Sequence, residues 1–274
     1  MVRPRRRPFV IVLTAAICLV AVVAAAQFGR RGFGGFRASF ATAKDFDGHF
    51  HFCRWVYQAS LDGDGGNWNA DWPRADINLS IRLSELTKAD VSKDPAGEPN
   101  HLLVRFTDPE VFDCPFVMAT EVGRTFITDQ DAKAMRLYLD KGGFLWVDDF
   151  WGSYAWDHWV GQLRKALPAN EFPIFDLPLD HPLLHTQFEV KDIPQIPNIG
   201  LWVRAQLTSE RGDDSAVPHF RGINDAKGRL IVVMTHNTDF GDAFEREDNR
   251  AYFDRFASEG YAFGVNAVLY ALTH

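Results

Sequence analysis

The stretch TDQDAKAMRLYLDKGGFLWVDDFWG, residues 128–152, decides the fold of this chain. Thr128, with Asp131 three residues later, forms a capping-box pattern, and apolar residues follow at helical spacing. The double glycine at 142–143 supplies the left-handed residue that ends helices. Residues 144–147 are apolar on both faces, which is typical of a strand buried inside a parallel sheet. A helix that leads into such a strand predicts an α/β fold.

The rest of the chain alternates short apolar strands with amphipathic helices. Further helices are predicted over residues 75–87, about 156–167 and 259–273. The predicted strands are 49–57, 102–106, 116–119, 144–148, 217–223 and 229–234. A turn-forming segment, 224–228, joins the last two as a hairpin. These elements predict a mostly parallel sheet with an antiparallel edge.

The first 26 residues have the pattern of an export signal. A basic start precedes an apolar run, residues 9–26, which ends in three alanines before Gln27. The pair Arg6-Arg7 also matches the twin-arginine route, and an uncleaved membrane anchor is the alternative. The sequence thus predicts a signal peptide (1–26), a flexible linker rich in Gly, Arg and Phe (27–47), and one α/β domain (48–274). We expect the protein in the periplasm or outside the cell.

Charge and cysteine content exclude some classes of partner. The chain has a net charge of -7, and removal of the four arginines of residues 1–26 leaves -11. This balance argues against nucleic acid or anionic lipid as partners, so membrane contact is expected only through residues 9–26 if they stay uncleaved. Two cysteines, Cys53 and Cys114, remain. One bridge between them is an alternative, but we expect two separate buried thiols.

Polar side chains follow several predicted strands. The carboxyl ends of parallel strands meet at one edge of a sheet, and open α/β sheets bind ligands there. The candidate ligand-binding residues in these loops are Asp62, Asp64, Asn67, Glu121, Arg124, Asp148, Asp149, His236 and Asp239. We expect Glu121, Asp148 and His236 to share one crevice, provided that strand 229–234 is the parallel member of the hairpin.

Each candidate also has a structural explanation. Asp148 and Asp149 are suited to cap a helix or hold a turn, and as strand neighbours they should point to opposite faces. The run DGDGGN, residues 62–67, resembles a calcium loop but has Pro73 at its twelfth position. Asp148, Asp149, His236 and Asp239 could form a metal site, yet no local ligand spacing supports one. The sequence assigns no metal ligand and identifies no cofactor.

Four segments resemble the bacterial family called domain of unknown function 4159. They are FHFCRWVYQASLDGDGGNWNADWP, DPEVFDCPFVMATEVGRTFITDQDAKAMRLYLDKGGFLWVDDFWG, LPLDHPLLHTQF and AFGVNAVLYALTH. The resemblance spans about residues 48–274 and implies a flavodoxin-like sandwich related to class I glutamine amidotransferases, without an established activity. Those enzymes present a nucleophilic cysteine on a turn after a strand, and neither candidate turn here, 120–123 or 149–152, contains cysteine.

Three functional hypotheses follow from these patterns. The first is an exported, non-catalytic module that binds a small polar ligand or an envelope protein. The second is a carboxylate- or metal-dependent hydrolase, for example of carbohydrate, in which Glu121 works with Asp148 or Asp149. The third is a structural subunit of a cell-envelope assembly.

We predict that the natively produced protein begins near Gln27 and lies outside the cytoplasm, because residues 1–26 combine the three parts of a secretory signal. Mass spectrometry of the purified protein measures the first residue. A soluble cytosolic form that keeps Met1 would contradict this prediction.

Overall fold

In the computed structural model, the described residues are 39–274, so the predicted signal and most of the predicted linker lie outside them. The end of that linker already packs on the domain, since Phe40 forms a parallel bridge with Leu103 and the Ala41 N–H donates to the Leu103 carbonyl. Within residues 39–274, no helix combines the length and apolar character needed to cross a membrane.

The stretch that begins at Thr128 folds as predicted. The Thr128 hydroxyl accepts a hydrogen bond from the Asp131 N–H, and the Asp131 carboxylate accepts one from the Thr128 N–H. This capping box satisfies two N–H groups that the first helical turn leaves without partners. Gly142 takes a φ of 106° just after the helix, where a side chain would be strained. The following strand is buried along its whole length.

Nine strands and six principal helices make up the described chain. The strands are β1 Phe52–Trp55, β2 Gln58–Ala59, β3 His101–Val104, β4 Phe116–Thr120, β5 Thr125–Phe126, β6 Phe144–Phe150, β7 Phe175–Asp176, β8 His219–Asn224 and β9 Leu230–His236. The helices are α1 Arg74–Leu86, α2 Asp129–Asp140, α3 Gly152–Leu163, α4 Ile199–Ala205, α5 Phe240–Glu245 and α6 Ser258–Thr273. A short helix, Arg250–Tyr252, and a π-helical turn, Phe253–Ala257, lead into α6.

Seven strands form one sheet in the order β3-β1-β4-β6-β9-β8-β7, and β2 pairs with β5 separately. Strands β3, β1, β4, β6 and β9 are parallel. Strand β8 runs antiparallel to β9, and β7 runs antiparallel to β8. The prediction that residues 229–234 form the parallel member of the hairpin is therefore confirmed. The mostly parallel sheet with an antiparallel end is also confirmed.

Apolar cores cover both faces of the sheet. One contains α1, α5 and α6, with Leu79 and Phe263 among its buried side chains. The other contains α2 and α3, with Met135 and Trp159. Because side chains alternate along a strand, the wholly apolar run of β6 supplies both cores. The result is a three-layer α/β sandwich, consistent with a flavodoxin-like fold.

The two cysteines form a disulfide, so the expectation of separate thiols is wrong. Cys53 lies on β1 and Cys114 just before β4, with their Cα atoms 6.1 Å apart. Strands β1 and β4 are neighbours in the sheet although β3 lies between them in the chain. The sequence does not reveal that adjacency, and it is what brings the two sulfur atoms together.

We predict that replacing both cysteines by alanine lowers the free energy of unfolding by about 2–4 kcal/mol, because the bridge restricts the unfolded chain across a long loop. Urea denaturation of the oxidised protein, the reduced protein and the double variant measures the change. Identical midpoints for the oxidised and reduced wild-type protein would contradict the prediction.

Candidate functional site

The candidate site lies at the carboxyl edge of the parallel strands, where the chain changes direction. After β1 the chain forms β3 on one side, and it then crosses to β4 on the other side. The helix after β1 packs on one face of the sheet and the helix after β4 on the other. Such a switch point opens a crevice between the loops that follow the two strands, and ligands bind in this crevice in α/β folds.

Three neighbouring strands end in residues with left-handed backbone. Glu121 follows β4 with a φ of 54°, Asp149 lies near the end of β6 with 55°, and Asn237 follows β9 with 62°. Asp71, in the loop after β1, has a φ of 59°. This conformation is unfavourable for residues other than glycine, and it concentrates at functional sites.

The left-handed residue in β6 changes where the paired aspartates point. The pairing of β6 with β9 shifts register between Val147 and Phe150, so the alternation of side chains does not continue through Asp149. The Asp148 Oδ2 accepts a hydrogen bond from the Gly241 N–H, and the Asp71 Oδ2 lies beside the same glycine. Asp71 and Asp149 each offer an oxygen within 4.8 Å of the other, so both aspartates of the pair approach this place. The expectation that Asp148 and Asp149 point to opposite faces is therefore wrong.

Five carboxyl groups gather into two triads, which we call the carboxylate cluster. Asp71, Asp149 and Asp239 form the first triad, and in each triad one oxygen from every residue lies within 4.8 Å of the others. The second triad consists of Asp71, Asp242 and Glu245. Asp71 belongs to both triads. The cluster thus joins the loop after β1, the end of β6 and α5, from Asp239 just before the helix to Glu245 at its end.

The first triad has few protein partners. The Asp149 Oδ1 accepts a hydrogen bond of 2.9 Å from the Trp151 indole, and the Asp239 Oδ1 accepts one of 2.7 Å from the Asp242 N–H. The Asp71 Oδ2 is buried and has no hydrogen-bond partner within residues 39–274. It lies so close to Gly241 that a Cβ there would come within 2.3 Å of it. A buried carboxyl oxygen without a partner is costly, so Asp71 is a candidate ligand for a cation.

Asp148 differs from the first triad because its oxygens are satisfied. The Thr235 hydroxyl donates to its Oδ1, and the Gly241 N–H donates to its Oδ2 at 2.9 Å. These bonds attach the N-terminal end of α5 to β6 and β9. We therefore interpret Asp148 as a structural residue that positions α5.

A buried ion pair supports the loop after β1. Arg54 is fully buried, donates three hydrogen bonds to the Asp76 carboxylate through Nε and Nη2, and donates to the Ala70 carbonyl at 3.3 Å. Its guanidinium group is thus already matched by one carboxylate. Within residues 39–274, no ion pair includes Asp71, Asp149 or Asp239.

Burial raises the pKa of the carboxyl groups in the cluster. For Asp149, burial and then the neighbouring Glu121 and Asp71 raise the pKa well above its usual range. For Asp239, burial and then Asp149 and Asp71 do the same. Burial raises the pKa of Asp148 to about 7, although its hydrogen bonds oppose this shift. Burial, and after it the repulsion between close like charges, causes the shifts of Asp149 and Asp239.

Glu121 forms a second acidic group beside the cluster. Its carboxylate lies against Gly65 and Gly66, where a Cβ on Gly65 would approach its Oε2 to 2.2 Å, and it accepts a hydrogen bond from the Gly66 N–H. Burial, and next among the raising effects the nearby Glu210, raises its pKa to about 7. The glycines of the loop 62–67 thus make room for this side chain.

The remaining loop candidates lie at the rim. Asp64 pairs with Arg211 at 2.7 Å, and Arg124 donates to the Ser60 carbonyl at 3.1 Å. Asp62 and Asn67 are exposed, with local contacts to Ser60 and Trp68.

His236 ends β9 at the same edge, but its ring lies on the opposite face from the aspartates. It packs against Phe150 and Trp156, contacts the Gly152 carbonyl through Nε2 at 3.0 Å, and contacts Arg221 through Nδ1 at 2.9 Å. Burial lowers its pKa to about 4. His236 is thus a neutral, hydrogen-bonded core residue and not a partner of the cluster.

Sequence reasoning missed three members of the cluster. Asp71 lies in the same loop as the candidates Asp62, Asp64 and Asn67 but was not among the candidate residues. Asp242 lies in the segment after β9 that should reach the edge, and Glu245 follows it one helical turn later. The available signal was the acidic spacing in 239–245, which places Asp242 and Glu245 on one side of a helix.

We predict that the metal-free protein loses stability as the pH rises from 6.5 to 8. Over this range the buried carboxyl groups still hold protons that the unfolded chain has released. The native state then binds more protons than the unfolded state, so the free energy of unfolding falls with pH. We expect a fall of more than about 1 kcal/mol.

Urea denaturation of chelator-treated protein at both pH values measures this change. His236 acts in the opposite sense only between about pH 4 and 6.5, below the tested range. The Asp149→Asn variant should have a flatter dependence, since it removes one raised group. A wild-type midpoint that rises between pH 6.5 and 8 would contradict the prediction.

A comparison with protein families identifies the family of the chain. A family model described as Domain of unknown function (DUF4159) matches residues 55–272, a span that contains all five residues of the carboxylate cluster. No curated protein matches the chain. Since the match covers most of its length, the chain belongs to the DUF4159 family of domains of unknown function.

Proposed function

We propose that this protein is an exported binding module whose ligand is a divalent cation of the hard, oxygen-preferring class, held by Asp71, Asp149 and Asp239. The observation that carries the proposal is the buried Asp71 Oδ2, which lacks a partner within residues 39–274 and belongs to a triad of converging carboxylates. Hydrogen bonds from the protein satisfy the neighbouring Asp148. The first triad has no such compensation at Asp71.

The spacing of the oxygen atoms supports a cation. Ca²⁺ binds oxygen at about 2.3–2.6 Å, so two ligands on opposite sides of the ion are roughly 5 Å apart, and adjacent ligands are closer. The oxygens of the first triad lie within 4.8 Å of one another. Carboxylate-only ligand sets suit Ca²⁺, Mg²⁺ or Mn²⁺ rather than metals that prefer nitrogen or sulfur.

The electrostatics of the cluster support the same ligand. Burial and mutual repulsion keep the pKa values of Asp71, Asp149 and Asp239 high, so the cluster without a cation favours protons. A divalent cation would stabilise the ionised forms and replace those protons. It would also give the Asp71 Oδ2 the partner that residues 39–274 do not provide.

A metal-dependent hydrolase is the second candidate, and Glu121 favours it. This residue follows β4, the strand next to β6, and it acts on the pKa of Asp149. A carboxyl group with a pKa of about 7 is suited to accept a proton from a cation-bound water. A thiol nucleophile is excluded at Cys53 and Cys114, because both form the disulfide.

We predict that calorimetric titration of the chelator-treated protein with Ca²⁺ and Mn²⁺ detects binding, and that Asp239→Asn weakens it at least about 10-fold. Asparagine can keep the hydrogen bond from the Asp242 N–H while removing the charge. A bound cation should also raise the melting temperature, by linkage.

Asp62→Asn is the matched control, because Asp62 is exposed and lies in the loop that resembles a calcium site. Its binding should equal that of the wild-type protein. If the wild-type protein binds neither Ca²⁺ nor Mn²⁺, the proposed function is overturned. Loss of binding in Asp62→Asn, with retention in Asp239→Asn, would move the site to the loop 62–67.

A further inference from the structure

We infer that the carboxylate cluster holds two divalent cations side by side, with Asp71 as their shared ligand. This inference rests on the proposed function, since it adds a second cation to the site of the first. The first cation lies among Asp71, Asp149 and Asp239, and the second among Asp71, Asp242 and Glu245.

The geometry of Asp71 supports the shared position. Its carboxyl group contributes an oxygen to each triad, and the oxygens within each triad lie within 4.8 Å of one another. One carboxylate has two oxygens and can bridge two ions, an arrangement found in two-metal sites with ions about 3.5–4 Å apart. A Cβ on Gly241 would come within 2.3 Å of the Asp71 Oδ2, so glycine at this position leaves room for the carboxylate that the two triads share.

The charge of the cluster favours two cations over one. Its five carboxylates carry five negative charges when ionised. Arg246 supplies one positive charge, through contacts of 3.2 Å to Asp242 and 2.7 Å to Glu245. One divalent cation together with Arg246 offsets three of the negative charges, and a second divalent cation offsets the remaining two. Buried charge is tolerated when it is compensated, so the doubly loaded cluster is the balanced one.

Arg246 also makes the two positions unequal. Within residues 39–274, no arginine forms an ion pair with the first triad. Arg246, in contrast, contacts both Asp242 and Glu245 of the second triad. The positive charge of Arg246 repels a cation that enters the second triad, and no arginine in such direct contact does this at the first triad within the described chain. The second position therefore binds its cation more weakly than the first.

Manganese titration of the chelator-treated, full-length protein tests this inference. We expect two Mn²⁺ per chain, the second bound at least about 10-fold more weakly, and an exchange-coupled electron paramagnetic resonance spectrum at saturation. Glu245→Gln should reduce the stoichiometry to one and leave an uncoupled spectrum. Asp62→Asn, which changes an exposed carboxylate outside the cluster, should keep both ions and the coupling.

The wild-type measurements decide the outcome even where a variant fails to fold. One Mn²⁺ per chain would overturn the second cation and leave the proposed function standing, whereas no bound Mn²⁺ would overturn both. Two ions without spin coupling would overturn the role of Asp71 as a shared ligand. A folded Glu245→Gln variant that still binds two coupled ions would overturn the placement of the second ion.

Discussion

The constraint on which this structure depends is the burial of several like charges at one edge of a parallel sheet. Asp148, Asp149 and Asp239 are each at most 5% exposed, and the buried carboxyl group of Asp71 lies among them. An ionised carboxylate costs free energy when it leaves water, and a neighbouring carboxylate adds to that cost. The fold offers two forms of compensation. Hydrogen bonds from α5 and β9 satisfy Asp148, and Arg246 faces Asp242. The triad of Asp71, Asp149 and Asp239 receives neither in full, and this difference supports the proposal that it binds the first cation.

The backbone explains how residues from distant parts of the chain reach this position. Parallel strands deliver their following loops to one edge, and the reversal of direction at β1 and β4 separates those loops into a crevice. Left-handed residues at 121, 149 and 237 then turn the chain sharply at the ends of three adjacent strands. In Asp149 this turn places a second carboxylate on the same side as Asp148. An ordinary strand would have pointed it to the other core.

The sequence was sufficient to predict most strands of the sheet and part of the site. Apolar periodicity, the capping box at Thr128 and the run at 144–147 predict the α/β sandwich, because local patterns determine where strands and helices begin and end. The rule that the loops after parallel strands meet at one edge of the sheet also selected Asp149 and Asp239. It did not select Asp71, since composition does not show which residues of a loop face the edge, and it failed for His236, because the alternation of side chains along the strand places its ring on the other face. The disulfide was missed for a related reason, as β1 and β4 become neighbours only through the sheet order.

The segment that covers the carboxylate cluster helps to choose between the two candidate functions, the binding module and the hydrolase. The segment before α4 lies across it, with the Asp239 N–H donating to the Ile196 carbonyl, the Ile199 N–H donating to Asp242, and the Tyr252 hydroxyl donating to the Pro197 carbonyl. A hydrolase for a polymer such as carbohydrate needs an open cleft in which the substrate reaches the reacting groups. Here Asp149 and Asp239 are nearly inaccessible, and each contact of the covering segment would have to break for a chain of sugars to approach. A cation is small, and the first triad offers it three converging carboxylate oxygens. Burial of this kind favours retention of an ion over turnover of a large substrate, and for that reason the binding module is the better interpretation of the site.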